Sequence, residues 1–151
     1  MSSIASSSTL NALVTRLERV EPSSQRRWGR MDAHEMLCHL ADSFRAMLGE
    51  RAASTMPASR LSRTIIKFIA IHSPLPWPKG VPTRPEVNPL EQGTRPAVFE
   101  EDRQAVIALM RRFAEPGAQY GSHPMFGRMR RSEWLTWAYR HVDHHLRQFG
   151  L

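Results

Sequence analysis

Apolar side chains recur at helical spacing along most of this chain and nowhere alternate long enough to make a convincing strand. Leu10, Leu13, Val14, Leu17 and Val20 share one face of a helix predicted over residues 9–20, and Glu21-Pro22 ends the pattern. A second helix is predicted over 32–48. Asp32 and Glu35 have capping-box spacing at its start, and Gly49 stands where a left-handed stop belongs. Its apolar stripe is Leu37, Leu40, Ala41, Phe44, Met47 and Leu48. A more apolar helix follows over 59–72 and ends before Pro74. Val106, Ile107, Met110 and Phe113 mark another over 99–114. The last runs over 132–149, with Ser132 as N-cap and Gly150 as stop. These segments sum to an all-α fold, a bundle of four or five helices around one core.

Residues 74–96 interrupt this regularity. Seven of the 11 prolines lie there, so neither a helix nor a central strand can persist. A domain linker is the plain reading of such a stretch. The flanking halves are too short for separate cores, however, and Trp77 needs something to pack on. The expectation is an ordered proline-rich crossover inside one domain spanning 9–151, preceded by a Ser-rich tail over 1–8 that frays.

With 151 residues, 41% hydrophobic and 23% charged, the chain has the composition of one ordinary globular domain. Its one cysteine, Cys38, has no internal disulfide partner and reads as a small core hydrophobe rather than a nucleophile. No apolar run approaches the ~18 residues of a membrane span, and the start lacks the basic residue of a secretory signal. A cytoplasmic protein is expected. The net charge of +7 comes almost entirely from arginine, but the arginines are scattered and no basic run is interleaved with aromatics. A solvated surface accounts for them, so neither nucleic acid nor membrane is an expected partner.

Histidine changes the picture. Three of the 7 histidines crowd into the last predicted helix, at His141, His144 and His145. On a helical wheel His145 lies about 20° and His141 about 60° from Ala138 at the centre of the apolar stripe, whereas His144 lies about 120° away, at its edge. Imidazoles at i and i+4 stack one turn apart, close enough to share a cation. No glutamate follows the first of them, so a zinc-protease reading fails. Two core histidines satisfied by hydrogen bonds are the competing reading. A third ligand would come from His34, His39, His72 or His123, and periodicity does not select His39, which lies off the stripe.

Trp28, the tetrapeptide His39-Leu40-Ala41-Asp42, and the run from Tyr139 to Gly150 containing His141, His144, His145 and Gln148 resemble the DinB-like (DinB/YfiT) superfamily of metalloenzymes. Two further motifs, Trp77-Pro78-Lys79-Gly80-Val81-Pro82-Thr83 and His123-Pro124-Met125-Phe126-Gly127, point to an uncharacterised branch of it. The resemblance runs from about residue 10 to 150. It implies a four-helix bundle of up-down-down-up topology. It also implies a divalent ion, nickel or zinc, held by His39, His141 and His145, and association as a homodimer. One departure stands out: Leu146-Arg147-Gln148 replaces the family's Arg-Gly-Gln-like segment.

A cation held by three neutral imidazoles keeps its double charge and an open position; it acidifies bound water to roughly 7 and deprotonates a bound thiol. Two reaction classes follow on a small-molecule substrate. One is transfer of a low-molecular-weight thiol to an electrophile, which such relatives catalyse. The other is hydrolysis of a small ester or amide. Hydrolysis would draw on a carboxylate base, and Asp42, one turn from His39, is the nearest; a role in orienting His39 is its alternative. His123, in the turn before the last helix, is the second catalytic candidate, with a capping role as its alternative. A non-catalytic protein with a structural metal, closed by a fourth protein ligand, is the remaining reading.

Overall fold

The computed structural model describes residues 2–52 and 59–151. Among the described residues five α-helices follow in order: α1 (Ser7–Glu18), α2 (Ala33–Met47), α3 (Lys67–His72), α4 (Phe99–Ala114) and α5 (Arg131–Gln148). They pack as a bundle, with α2 lying most extensively on α4 and α1 pairing with α5. Among the described residues there is no helix long and apolar enough to cross a membrane.

Local chemistry sets the helix ends. Asp32 Oδ1 accepts the Glu35 N–H at 2.8 Å while Glu35 Oε2 accepts the Asp32 N–H at 2.8 Å, so the predicted capping box forms. Gly49 and Gly150 take left-handed φ of 79° and 81°, as stops. Three boundaries differ from the periodicity. Helix α1 starts at Ser7, because the Ser6 hydroxyl accepts from the Thr9 N–H. Helix α5 starts at Arg131 rather than after Ser132, because Glu133 Oε2 takes the Arg130 N–H at 2.7 Å. The helix predicted over 59–72 is interrupted by a π-helical turn, Ser62–Ile66, before α3. The Ser-rich start also has a buried anchor. Ile4 is fully enclosed, and its N–H donates to the Leu135 carbonyl at 3.2 Å.

Helix α2 is the centre of the molecule and is buried on nearly every side, polar His39, Asp42 and Ser43 included. Phe113 of α4 meets Phe44, Tyr120, Trp134 and Trp137 in an aromatic core linking α2, α4 and α5. Burial of one such ring stabilises the fold by about 1.5–3 kcal/mol.

The crossover folds back over α2 and α5. The Trp77 indole N–H donates to the Ala70 carbonyl at 2.8 Å, and the Arg140 guanidinium donates to the carbonyls of Ser73 and Leu75. A 3-10 turn, Pro85–Val87, buries Val87. Gly93 lies so close to the Asn88 carbonyl that a Cβ would stand 2.6 Å from its carbon. Arg51 ties these pieces together, donating to the carbonyls of Glu86 and Gln92 and to the Thr94 hydroxyl. This crossover reaches the histidines.

Candidate metal centre

His39 on α2 and His141 and His145 on α5 are all buried, and one ring nitrogen from each lies within 4.8 Å of the other two. The other rings of the sequence reading lie elsewhere. His34 pairs with Asp102 at 2.7 Å, His72 stands 4.0 Å from Glu133, and His144 sits at the edge between Trp28 and Trp77.

Hydrogen bonds fix the tautomers. His39 Nδ1 is 2.8 Å from the Val87 carbonyl, which can only accept, so Nδ1 carries the proton and Nε2 the lone pair. Gln148 Nε2 donates to the Trp28 carbonyl at 2.7 Å, which turns Gln148 Oε1 toward His145. His145 Nδ1 therefore donates to it at 3.0 Å, leaving Nε2 free. A carbonyl oxygen behind a ligand imidazole is the usual arrangement around a bound metal. The Nε2 atoms of His39 and His141 are 3.2 Å apart, close to the roughly 3.3 Å expected between two nitrogens on one tetrahedral cation. Without a metal, His141 Nε2–H donates to His39, and buried His141 Nδ1 has no partner among the described residues. Its ring packs instead between Trp137 and Trp77, at 4.8 and 5.9 Å between centroids. The three donors fit a divalent ion.

Electrostatics keeps these rings neutral, the form a metal needs. Burial lowers His39 below the ordinary histidine value, against the pull of the Val87 carbonyl. Burial, and then repulsion from the neighbouring imidazoles, takes His141 and His145 well below it. Unfolding lets all three rise to the ordinary value and take up protons. The stability they contribute is full above that value and is lost as the pH falls through it toward the folded one. The urea midpoint of metal-free protein should therefore drop between about pH 7.5 and about 5.5. A midpoint that holds or rises would contradict the neutral assignment.

The two catalytic candidates are engaged elsewhere. Asp42 is fully buried. Its Oδ1 accepts from the Thr94 hydroxyl at 2.8 Å, Arg51 at 3.2 Å and Arg45 at 3.3 Å, and its Oδ2 accepts the Thr94 N–H at 2.6 Å. It anchors the crossover that brings Val87 to His39, and does not join the histidine group. His123 Nδ1 accepts the N–H groups of Met125 and Phe126, both at 3.2 Å, capping the turn that ends at Gly127. Burial pushes its pKa down to about 3, and it too stands outside the group. Burial, and then the Asp102 carboxylate, push the Cys38 thiol up to about 12, so it stays protonated at neutral pH unless a cation displaces the proton.

A cleft of about 400 Å³ opens onto the site, walled by Trp28, Arg30, Thr83, His144 and Gln148, and reaching His145. Lys79 Nζ stacks 4.4 Å over the Trp28 ring at its rim. Gln148, three residues beyond His145, belongs to the motif that carries the family resemblance, but nothing local signalled the Val87 carbonyl. Gln148→Leu removes the acceptor behind His145 and should weaken metal binding about ten- to a hundredfold, read by competition with a chromophoric chelator. An unchanged affinity would mean that Gln148 does not orient the ring.

A helical bundle that buries three neutral imidazoles around a common point, with a cleft leading to them, defines a metal-binding protein of the metalloenzyme type. One family model extends over almost the whole chain: the protein belongs to the family described as protein of unknown function (DUF1569), matched over residues 5–150. No curated protein and no solved structure matches it.

Proposed function

We propose that this protein is a metal-dependent enzyme of the DinB-like kind, with up-down-down-up topology in a single domain. In this reading it uses a nickel or zinc ion to transfer a low-molecular-weight thiol to a small electrophile in the cytoplasm. The observation that carries the reading is the convergence of His39, His141 and His145, two of them tautomerically fixed by oxygens behind the ring. A bound divalent ion supplies charge that makes a thiol acidic at neutral pH and leaves room for a substrate beside three protein ligands.

The chain's own groups do the rest. Val87 and Gln148 hold two rings in the ligating tautomer, and Trp137 and Trp77 enclose the third. The cleft admits the small molecules past Trp28 and His144, and Arg30 in its wall offers a cation to a carboxylate on either. Transfer forms a sulfur–carbon bond as the electrophile's leaving group departs with its electron pair, and the thiol proton goes to solvent. Among the described residues no carboxylate joins the three histidines. Hydrolysis would benefit from a base there, so thiol transfer is preferred to hydrolysis of a small ester or amide. The same cleft, which reaches His145, argues against a closed structural site.

Metal analysis of protein purified without chelator tests the first half: stoichiometric nickel or zinc is expected at the triad, and one equivalent less in a His141→Ala/His145→Ala double variant. An empty wild type would remove the basis of the proposal. The second half is tested with cobalt-loaded Cys38→Ser protein, in which a low-molecular-weight thiol should produce a thiolate-to-cobalt charge-transfer band. Its absence at saturating thiol would favour hydrolysis.

A further inference from the structure

Helix α2 carries a second set of metal-ligand side chains, and the triad does not use them. His34 and Cys38 stand one turn apart on α2, and Asp102 reaches them from α4. An imidazole nitrogen, a sulfur and a carboxylate oxygen thereby come within 4.8 Å of one another. His34 Nε2 is 2.7 Å from Asp102 Oδ2, which also accepts the Ala97 N–H at 3.2 Å. Cys38 is enclosed, whereas the His34 and Asp102 side chains are 21% and 22% exposed, so the group has an apolar back and a wet front. Around α2, Cys38 is about 100° and His34 about 140° from His39, which places this group on a different face from the triad.

We propose that His34, Cys38 and Asp102 form a second divalent-metal site, of the zinc type, in the seam between α2 and α4. The donor set argues for the class of ion. A sulfur ligand discriminates against magnesium and calcium, and an imidazole with a carboxylate suits zinc. Charge argues for binding. The ion displaces the thiol proton into solvent, and thiolate, carboxylate and divalent cation then sum to zero in a half-buried place. The Ala97 N–H behind Asp102 plays the orienting part that outer groups play around metal ligands, and the exposed front leaves a coordination position for water. The ion would clamp α2 to α4 beside the triad without sharing a ligand with it.

Cobalt(II) titration of the full-length metal-free chain tests this. Cys38 is the single cysteine, so an intense thiolate-to-cobalt band in the near ultraviolet reports this site, while three histidines give only weak visible bands. The band is expected in wild-type protein and in His141→Ala. It should be absent in Cys38→Ser and should need about a hundredfold more cobalt in His34→Gln. Wild-type protein showing no thiolate band would overturn the proposal, whether or not the triad fills. So would a band that disappears in His141→Ala, since Cys38 would then depend on the triad. The wild-type spectrum decides even if a variant fails to fold, and failure of the triad to bind leaves this band intact.

Discussion

Replacing His141 with alanine lowers the affinity for a divalent ion by about two to three orders of magnitude. A closed four-ligand zinc site in a small peptide is worth about 10–16 kcal/mol, hence about 2.5–4 kcal/mol per ligand, with each 1.4 kcal/mol a factor of ten. A second substitution at the same position separates a metal ligand from a core histidine. His141→Phe removes the buried Nδ1 that has no partner, and exposes instead the His39 Nε2 that His141 had capped. One unsatisfied atom replaces another while the ring still fills the space between Trp77 and Trp137. Metal-free stability should thus stay within about 1 kcal/mol of wild type while the ion is lost. Were the imidazole there for the core alone, the phenyl variant would be clearly less stable and metal content would be low in both proteins. Metal analysis together with urea unfolding in chelator distinguishes the two cases.

The second large effect is structural and arises at Asp42. Asp42→Ala leaves the Thr94 N–H, the Thr94 hydroxyl and the Arg51 guanidinium without their shared acceptor in a partly buried environment. Loss of hydrogen bonds to a buried carboxylate costs about 1.5–3 kcal/mol, which should appear as a large fall in the urea midpoint. Metal affinity should fall as well, although Asp42 touches no ligand, because Arg51 and Thr94 hold the stretch that carries Val87. Asp42→Asn keeps an oxygen for one set of donors and should lose less on both counts. A variant that unfolds more easily but binds metal normally would break the link between this network and His39.

The helical architecture was legible because the apolar stripes are regular and the caps have recognisable chemistry, as at Asp32 and Glu35. The π-helical turn at Ser62–Ile66 was not, since no local residue pattern marks it. Two of the three ligands could be read from helical spacing alone: His141 and His145 lie along the inward edge of an ordinary amphipathic helix. His39 could not. A wheel assumes one buried face, and α2 has almost no other kind, because the crossover covers the side that periodicity assigns to solvent. The resemblance supplied what the periodicity withheld. Asp42 was readable as a carboxylate near His39, but its shortest contacts are to Thr94, which is distant in sequence and belongs to the same long-range packing.

The oxygen behind His39 belongs to the peptide backbone. Any amino acid at position 87 would present the same acceptor, so drift in that side chain leaves the tautomer of His39 untouched provided the chain keeps its course. Selection on this half of the centre would therefore fall on the residues that steer the strap, among them Gly93, where a methyl group would collide with the main chain. A search for further enzymes of this design would do better to look for that steering than for a matching letter beside the metal.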